Sequence, residues 1–137
     1  MPHPYHLRNL AELADRALDV LESGVETDGF RILQGRVMAV QASPELGSSE
    51  DMAWGVSALP AGLSVPLHSH RAEEIATIVR GSGSITIDGI EVPVLEGDIL
   101  VTPPNLPHLT TAGPDGPLVV QWVYAPPGSE VRWLEQA

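Results

Sequence analysis

Short apolar segments separated by glycine and proline turns occupy most of the chain from Phe30 to Tyr124. Turns at this spacing are typical of an all-β domain rather than of helices. Asp88-Gly89, between isoleucine-rich flanks, predicts a tight β-hairpin. The expected strands cover residues 30–41, 52–59, 63–70, 74–80, 84–88, 90–95, 99–102, 108–112 and 118–124. Many short strands so close together indicate a sandwich or a barrel.

One helix is expected before the strands. Asn9 followed by Glu12 resembles a capping box, and Gly24 is a suitable helix stop. Between them, apolar residues recur at helical spacing on one face: Leu10, Leu13, Ala14, Ala17, Leu18 and Leu21. We therefore predict an N-terminal arm and helix over 1–28 that packs on the core, a barrel over 29–125, and a tail over 126–137 packed on the barrel.

Composition excludes several classes of function. The chain has 137 residues, enough for one domain with its own core, and no cysteine, which excludes disulfides and thiolate metal sites. It has no lysine, so Schiff-base catalysis is excluded. A formal charge of −11 argues against nucleic acid and anionic membranes as partners. No segment approaches the length of a membrane span or forms a signal pattern, so a cytoplasmic protein is expected.

Four residues with metal-ligand chemistry stand at suggestive spacing. His68 and His70 flank one serine, and strand side chains alternate between faces, so both imidazoles are expected on the same side. Glu74 adds a carboxylate oxygen, and His108 comes from a later segment. Mixed nitrogen and oxygen ligation suits one divalent transition metal per chain, with iron, manganese, nickel, zinc and copper all open. The two other histidines, His3 and His6, lie in the N-terminal tail.

The residues around these ligands resemble the two conserved motifs of the cupin superfamily. Gly62, five residues, His68-Ser69-His70, three residues, Glu74, six residues and Gly81 match every fixed position of the first motif. The second motif runs through Gly97, Pro103 and His108, with two departures: Asn105 stands where glycine is usual and Ala112 where asparagine is frequent. The resemblance covers about residues 50–125. It implies a single double-sheet jelly roll that holds a metal through His68, His70, Glu74 and His108.

A jelly roll also implies an apolar pocket beside the ligands. Its expected lining includes scarce aromatic residues, whose rings suit flat organic ligands, although plain core packing is the alternative for each residue. The candidates are Met52, Trp54, Val56, Ile78, Ile99, Val101, Trp122 and Tyr124.

The side chains of residues 63–70 are expected to alternate between the two faces of a strand. If the two histidines face the cavity, then Ser64 and Pro66 do too. The opposite, apolar side would present Leu63, Val65 and Leu67. The helix or a second subunit would have to cover that side, and similar proteins often dimerise through such sheets. A homodimer is therefore expected.

Three kinds of function agree with this site, and all take a small organic molecule as substrate or ligand. The first choice is a dioxygenase, since four protein ligands leave two positions of an octahedral metal open. The second is a redox-neutral isomerase, cyclase or lyase in which the metal acts as a Lewis acid and Glu73, Tyr124 or a metal-bound hydroxide moves a proton. The third is a non-catalytic binding module. Metal identity and oxygen consumption discriminate between them.

Overall fold

The computed structural model of the chain describes residues 6–130. Within them one helix, α1, spans Leu10–Ser23 and precedes nine strands. No helix among these residues has the length and apolar character needed to span a membrane. The strands are β1 Arg31–Leu33, β2 Arg36–Ala42, β3 Ala53–Leu59, β4 Glu73–Arg80, β5 Ser82–Ile87, β6 Ile90–Leu95, β7 Ile99–Thr102, β8 His108–Ala112 and β9 Leu118–Ala125.

The strands form two antiparallel sheets. One has six strands in the order β1-β2-β3-β9-β4-β7, and the other has three in the order β6-β5-β8. β9, the last strand within the described residues, lies between β3 and β4, so pairing between distant parts of the sequence holds the six-stranded sheet together. This arrangement is a jelly roll with a short N-terminal helix, and it confirms the fold predicted from the turns and the cupin motifs.

The helix forms as its local signals predict. The Asn9 side chain accepts a hydrogen bond from the Glu12 N–H at 3.0 Å, and Gly24 ends the helix with a φ of 72°. The left-handed conformation at Gly24 is one that glycine adopts without steric penalty. The buried face of the helix covers the outer side of the six-stranded sheet. The residues packed together there are Leu13, Ala14, Ala17, Val20, Phe30, Val37, Ala39, Val56, Ala58, Val79 and Val119.

Two turns confirm and correct the strand predictions. Asp88-Gly89 joins β5 to β6 with φ values of 49° and 80°, as expected for a tight hairpin. The strand predicted over 30–41 is instead two strands, because Gln34 and Gly35 adopt φ values of 51° and 80° and turn the chain back on itself. This unpredicted turn decides which residues of β2 point inward.

The strand predicted over 63–70 is wrong. Residues 63–70 contribute only isolated bridges, at Ser64 and at His68. Pro66 has no N–H to give to a ladder, which disfavours continuous pairing there. The predicted alternation fails as well: Leu63 and Val65 pack against the core, whereas Leu67 is 63% exposed. Side-chain alternation holds along a regular strand, and this segment is not one.

Gly55 provides a test of how tightly the inner face of β3 is packed. A Cβ atom there would lie 2.5 Å from Ala39 O and 2.5 Å from Trp122 Cζ2. We expect Gly55→Ala to lower the free energy of unfolding by about 1–3 kcal/mol, because both neighbours are held in the sheet. Urea denaturation measures this. Gly116→Ala is the control, since a Cβ atom at Gly116 would meet nothing within 4 Å; equal midpoints for the two variants would contradict the expected clash.

The outer face of β4 and β7 carries an exposed apolar patch. Ile75 and Val101 are register partners there, and Ile99 lies two pairs further along, on the same face. None of the three faces the interior of the jelly roll. The homodimer stays a prediction, and this patch is where a second subunit would reduce exposed apolar area.

Candidate metal centre

Three histidine side chains converge at the mouth of the jelly roll. His68 and His70 lie between β3 and β4, and His108 is the first residue of β8. The His68 N–H donates to His108 O at 3.1 Å, and the His108 N–H donates to His68 O at 2.8 Å. These reciprocal backbone bonds hold the two segments together. One ring nitrogen from each of the three histidines lies within 4.8 Å of the others.

Each imidazole is oriented by a backbone carbonyl. A carbonyl oxygen can only accept a hydrogen bond, so in every case Nδ1 carries the proton and donates it. The unprotonated nitrogen of the neutral ring is then Nε2, which is the tautomer that binds a metal. The acceptors are the carbonyl oxygens of Pro66, Ala72 and Leu106, at 2.8, 2.8 and 2.9 Å from Nδ1 of His68, His70 and His108, respectively.

Glu74 brings negative charge to the same place. Its Oε1 lies 3.2 Å from His70 Nε2 and 3.7 Å from His108 Nε2. While no metal is bound, Nε2 of His108 and His70 can carry a proton. Burial raises the pKa of the Glu74 carboxyl, but the hydrogen bonds and positive charge of the protonated rings outweigh burial and hold that pKa below its ordinary value. Glu74 therefore stays ionised at neutral pH. An anionic oxygen beside two of three clustered imidazoles is a donor set that suits a divalent transition metal.

The two candidate catalytic residues have different environments. Glu73 is exposed and points away from Glu74, because neighbouring residues of β4 alternate between faces. Glu73 therefore lies outside the histidine cluster, and its role in moving a proton stays a prediction. Tyr124 is buried, with its ring centroid 5.0 Å from that of His70, and it stacks on Trp122 at 4.7 Å with an interplanar angle of 22°. Tyr124 is thus the candidate that lies at the histidine cluster.

A small cavity of about 50 Å³ opens onto this cluster. Pockets for drug-sized ligands usually measure about 300–1,000 Å³, so this one suits a molecule of only a few heavy atoms. Trp122 and Tyr124 line it, as predicted from the sequence. The full lining is Arg36, Met38, Ser57, Leu59, Val65, His68, Glu74, His108, Thr110, Val120, Trp122 and Tyr124.

The remaining predicted pocket residues lie elsewhere. Met52 and Trp54 line a separate groove beside Arg8 and Leu10. The other four are either packed into the core or exposed on the outer sheet face. Val56 is buried under the helix, Ile78 packs in the core beside Leu59 and Val120, and Ile99 and Val101 are 66% and 51% exposed.

The orientation of the β3 side chains explains why Trp54 and Val56 lie outside the cavity. Its even-numbered residues pack towards the helix, so its small odd-numbered residues, Ala53, Gly55 and Ser57, face the interior. The pairing of Gly55 with Trp122 across β3 and β9 makes room for the indole ring. A glycine in the middle of an apolar strand, with a tryptophan available to fill the space, was the sequence signal for this arrangement.

Sequence reasoning missed several residues of the cavity. Arg36 and Met38 come from β2, whose inward face could be assigned only after the Gln34-Gly35 turn was known. Val65 was missed because residues 63–70 were assigned to a regular strand. Thr110 lies two residues after His108 in β8, and that shared strand face was the available signal for it. A Gln-Gly pair between two apolar segments was the available signal for the turn.

Comparison with known proteins agrees with this geometry. Residues 55–124 match the Cupin_2 cupin domain. The chain is 30% identical over 118 residues to dimethylsulfoniopropionate lyase DddW of Ruegeria pomeroyi, covering 85% of this chain and 70% of that protein. A predicted oxalate decarboxylase from Thermotoga maritima has 28% identity and a TM-score of 0.61, over 67% of this chain and 81% of that one.

A second similar structure supports the fold alone. An RmlC-like cupin from Shewanella frigidimarina superposes with a TM-score of 0.65 at 16% identity, over 77% of this chain and 89% of that one. The matched residues 55–124 contain the three histidines, Glu74 and both aromatic residues of the cavity. The chain belongs to the cupin domain family.

Proposed function

We propose that this cupin is a metal-dependent lyase that cleaves a small organic substrate by removing a proton and expelling a leaving group. The observation that carries the proposal is the convergence of the three histidines, Glu74 and Tyr124 on one small cavity. The 30% identity to a dimethylsulfoniopropionate lyase favours this reaction among the redox-neutral alternatives.

Four side chains would hold the metal. The three histidines would each use Nε2, because the Nδ1–H of each ring already donates a hydrogen bond to a backbone carbonyl. Glu74 would use Oε1. The three histidines are His68, His70 and His108. Iron, manganese, nickel, zinc and copper all suit this donor set. When bound, such an ion supplies Lewis acidity that stabilises negative charge developing on a substrate oxygen.

Tyr124 is the group placed to move the proton. Its phenolate oxygen would take a proton from a carbon of the substrate, and the electron pair of that C–H bond would form a carbon–carbon double bond. The bond from the adjacent carbon to the leaving group would break, and that group would leave with the bonding pair. No oxidant is consumed. Trp122 would fix the orientation of the Tyr124 ring through their stacking contact.

The apolar part of the cavity would protect this step from water. Part of the lining consists of apolar side chains, from Met38, Leu59, Val65 and Val120. Water that is excluded from a site cannot compete for the proton or for the metal ligands, and electrostatic interactions there are stronger than in bulk solvent.

The dioxygenase and the binding module stay predictions. A dioxygenase would use the same ligands, yet none of the three similar proteins named above carries an oxygenase name. A binding module would bind a small molecule without changing it. A dioxygenase would consume oxygen and a binding module would release its ligand unchanged, whereas a lyase would cleave its substrate without oxygen.

Anaerobic turnover separates the three functions. We expect the metal-loaded protein to cleave dimethylsulfoniopropionate or a related β-substituted carboxylate without oxygen, with new alkene protons visible by NMR. A chelator should stop the reaction, and metal addition should restore it. Turnover that consumes oxygen would contradict the lyase and support the dioxygenase. Unchanged ligand under every metal would support the binding module.

A further inference from the structure

Thr110 lies in the cavity wall beside one of the candidate metal ligands. It follows His108 by two residues on β8, and both residues line the same cavity. Side chains two residues apart on a strand share a face and are separated by about 6.8 Å. A ligand of only a few heavy atoms, which suits a cavity of about 50 Å³, can therefore touch both residues at once.

The backbone of Thr110 is held on both sides. The Val65 N–H donates to Thr110 O at 2.9 Å, and Ile85 of β5 is the register partner of Thr110 on the other side. Threonine is also branched at Cβ, which restricts rotation about χ1. The Thr110 hydroxyl therefore has few positions available, and ordering it against a ligand costs little conformational entropy.

The two threonines of β8 use their hydroxyls differently. Thr111 Oγ1 lies 2.7 Å from Ser64 Oγ, so its hydroxyl is already paired, and alternation places it on the opposite face from Thr110. The Thr110 hydroxyl makes no hydrogen bond in the part of the chain that the structure describes. A hydroxyl that lines a cavity and has no protein partner there can donate to a bound ligand.

We propose that Thr110 is a substrate-binding residue whose hydroxyl donates a hydrogen bond to an oxygen of a small carboxylate lying beside the histidines. This assignment rests on the proposed lyase for the class of substrate. An ionised carboxylate only accepts hydrogen bonds, so the hydroxyl is the donor. A hydrogen bond to a charged acceptor is also stronger than one between neutral groups, so this contact discriminates against analogues without the acceptor.

Acetate binding to the protein loaded with Mn²⁺ tests this. Acetate is small enough for the cavity, and paramagnetic Mn²⁺ accelerates the relaxation of its methyl protons only while acetate lies close to the ion. An NMR titration then gives a dissociation constant for acetate at the histidine cluster. Thr110→Val replaces the hydroxyl by a methyl group of similar size, and we expect it to weaken acetate binding by about 10- to 100-fold, the effect of losing a hydrogen bond to a charged group. Thr110→Ser should recover most of the affinity, because it keeps the hydroxyl.

Thr111→Val is the matched control, because it makes the same substitution at the next residue and removes a hydroxyl that is paired with Ser64 instead. It should leave acetate affinity unchanged. Elemental analysis should show equal manganese content in all variants, and circular dichroism should show the same fold. If Thr110→Val does not fold or does not hold Mn²⁺, Thr110→Ala and Thr110→Ser provide the comparison.

Three results would overturn the assignment: no acetate binding by the parent protein, equal acetate affinity in the parent and Thr110→Val, or a Thr110→Ser variant as weak as Thr110→Val. The last result would show that the methyl group of threonine matters rather than its hydroxyl. Failure of the lyase itself looks different. Acetate binding that depends on Thr110, without turnover of any substrate, would keep this binding residue and reject the proposed reaction. Turnover with the same KM in the parent and Thr110→Val would reject only the residue.

Discussion

Replacing His108 with alanine is expected to empty the metal site while leaving a folded β domain. His108 Nε2 is directed at the cluster, and loss of a ligand should reduce metal affinity by more than the roughly 10- to 100-fold that loss of an outer-sphere partner causes. Folding should persist because the backbone bonds between residues 68 and 108 do not need the ring. Elemental analysis measures metal content and circular dichroism measures the fold. His68→Ala should behave in the same way.

Glu73→Ala and Glu74→Ala form the matched comparison. Both remove one carboxylate from neighbouring positions of β4, but only Glu74 lies beside the histidines, whereas Glu73 is exposed on the other face. We expect Glu74→Ala to lose metal and Glu73→Ala to keep it. If Glu73→Ala empties the site and Glu74→Ala does not, the ligand assignment is displaced by one residue. Full metal content in His108→Ala would remove the proposed centre altogether.

Replacing Tyr124 with phenylalanine is expected to lower kcat by about 10²- to 10⁴-fold, the usual contribution of a positioned acid or base. Only the hydroxyl is removed. The ring keeps its stacking on Trp122 and its contact with His70, so metal content and thermal stability should change little. Steady-state kinetics under nitrogen, with elemental analysis of the same sample, separates loss of chemistry from loss of metal.

Two outcomes would speak against Tyr124 as the proton-carrying group. Unchanged kcat in Tyr124→Phe would show that another group moves the proton. A parallel loss of metal would show that the hydroxyl matters for ligand geometry instead. Trp122→Phe serves as a control, since it retains an aromatic ring beside Tyr124 and removes the indole N–H, and we expect a smaller decrease in kcat for it than for Tyr124→Phe.

Features set by neighbouring residues could be predicted from the sequence. The helix begins at Leu10 after the Asn9 cap and ends before Gly24, because capping and left-handed termination depend on a few adjacent residues. The Asp88-Gly89 hairpin is equally local. The candidate ligands could also be predicted, since the spacing around His68, His70, Glu74 and His108 together with the glycines is seldom met by chance.

Features set by long-range packing could not be predicted in the same way. Trp54 and Val56 share one face of β3, with Met52 immediately before the strand, and alternation identifies that face correctly. Alternation does not say whether the face meets the helix or the cavity, because both environments are apolar. The helix covers it, so the small residues on the other face border the space occupied by Trp122 and Tyr124.

The order and spacing of the candidate metal ligands were visible in the sequence alone, and the Asp88-Gly89 turn and the helix ends depend on chemistry within a few residues. The tertiary structure decided which strand faces line the cavity, brought Arg36 and Tyr124 into it, and left Glu73 on the opposite face of β4 from Glu74. These outcomes depend on which sheet face the helix covers and on how β9 inserts between β3 and β4. Both are contacts between segments distant in the chain, and no local pattern records them.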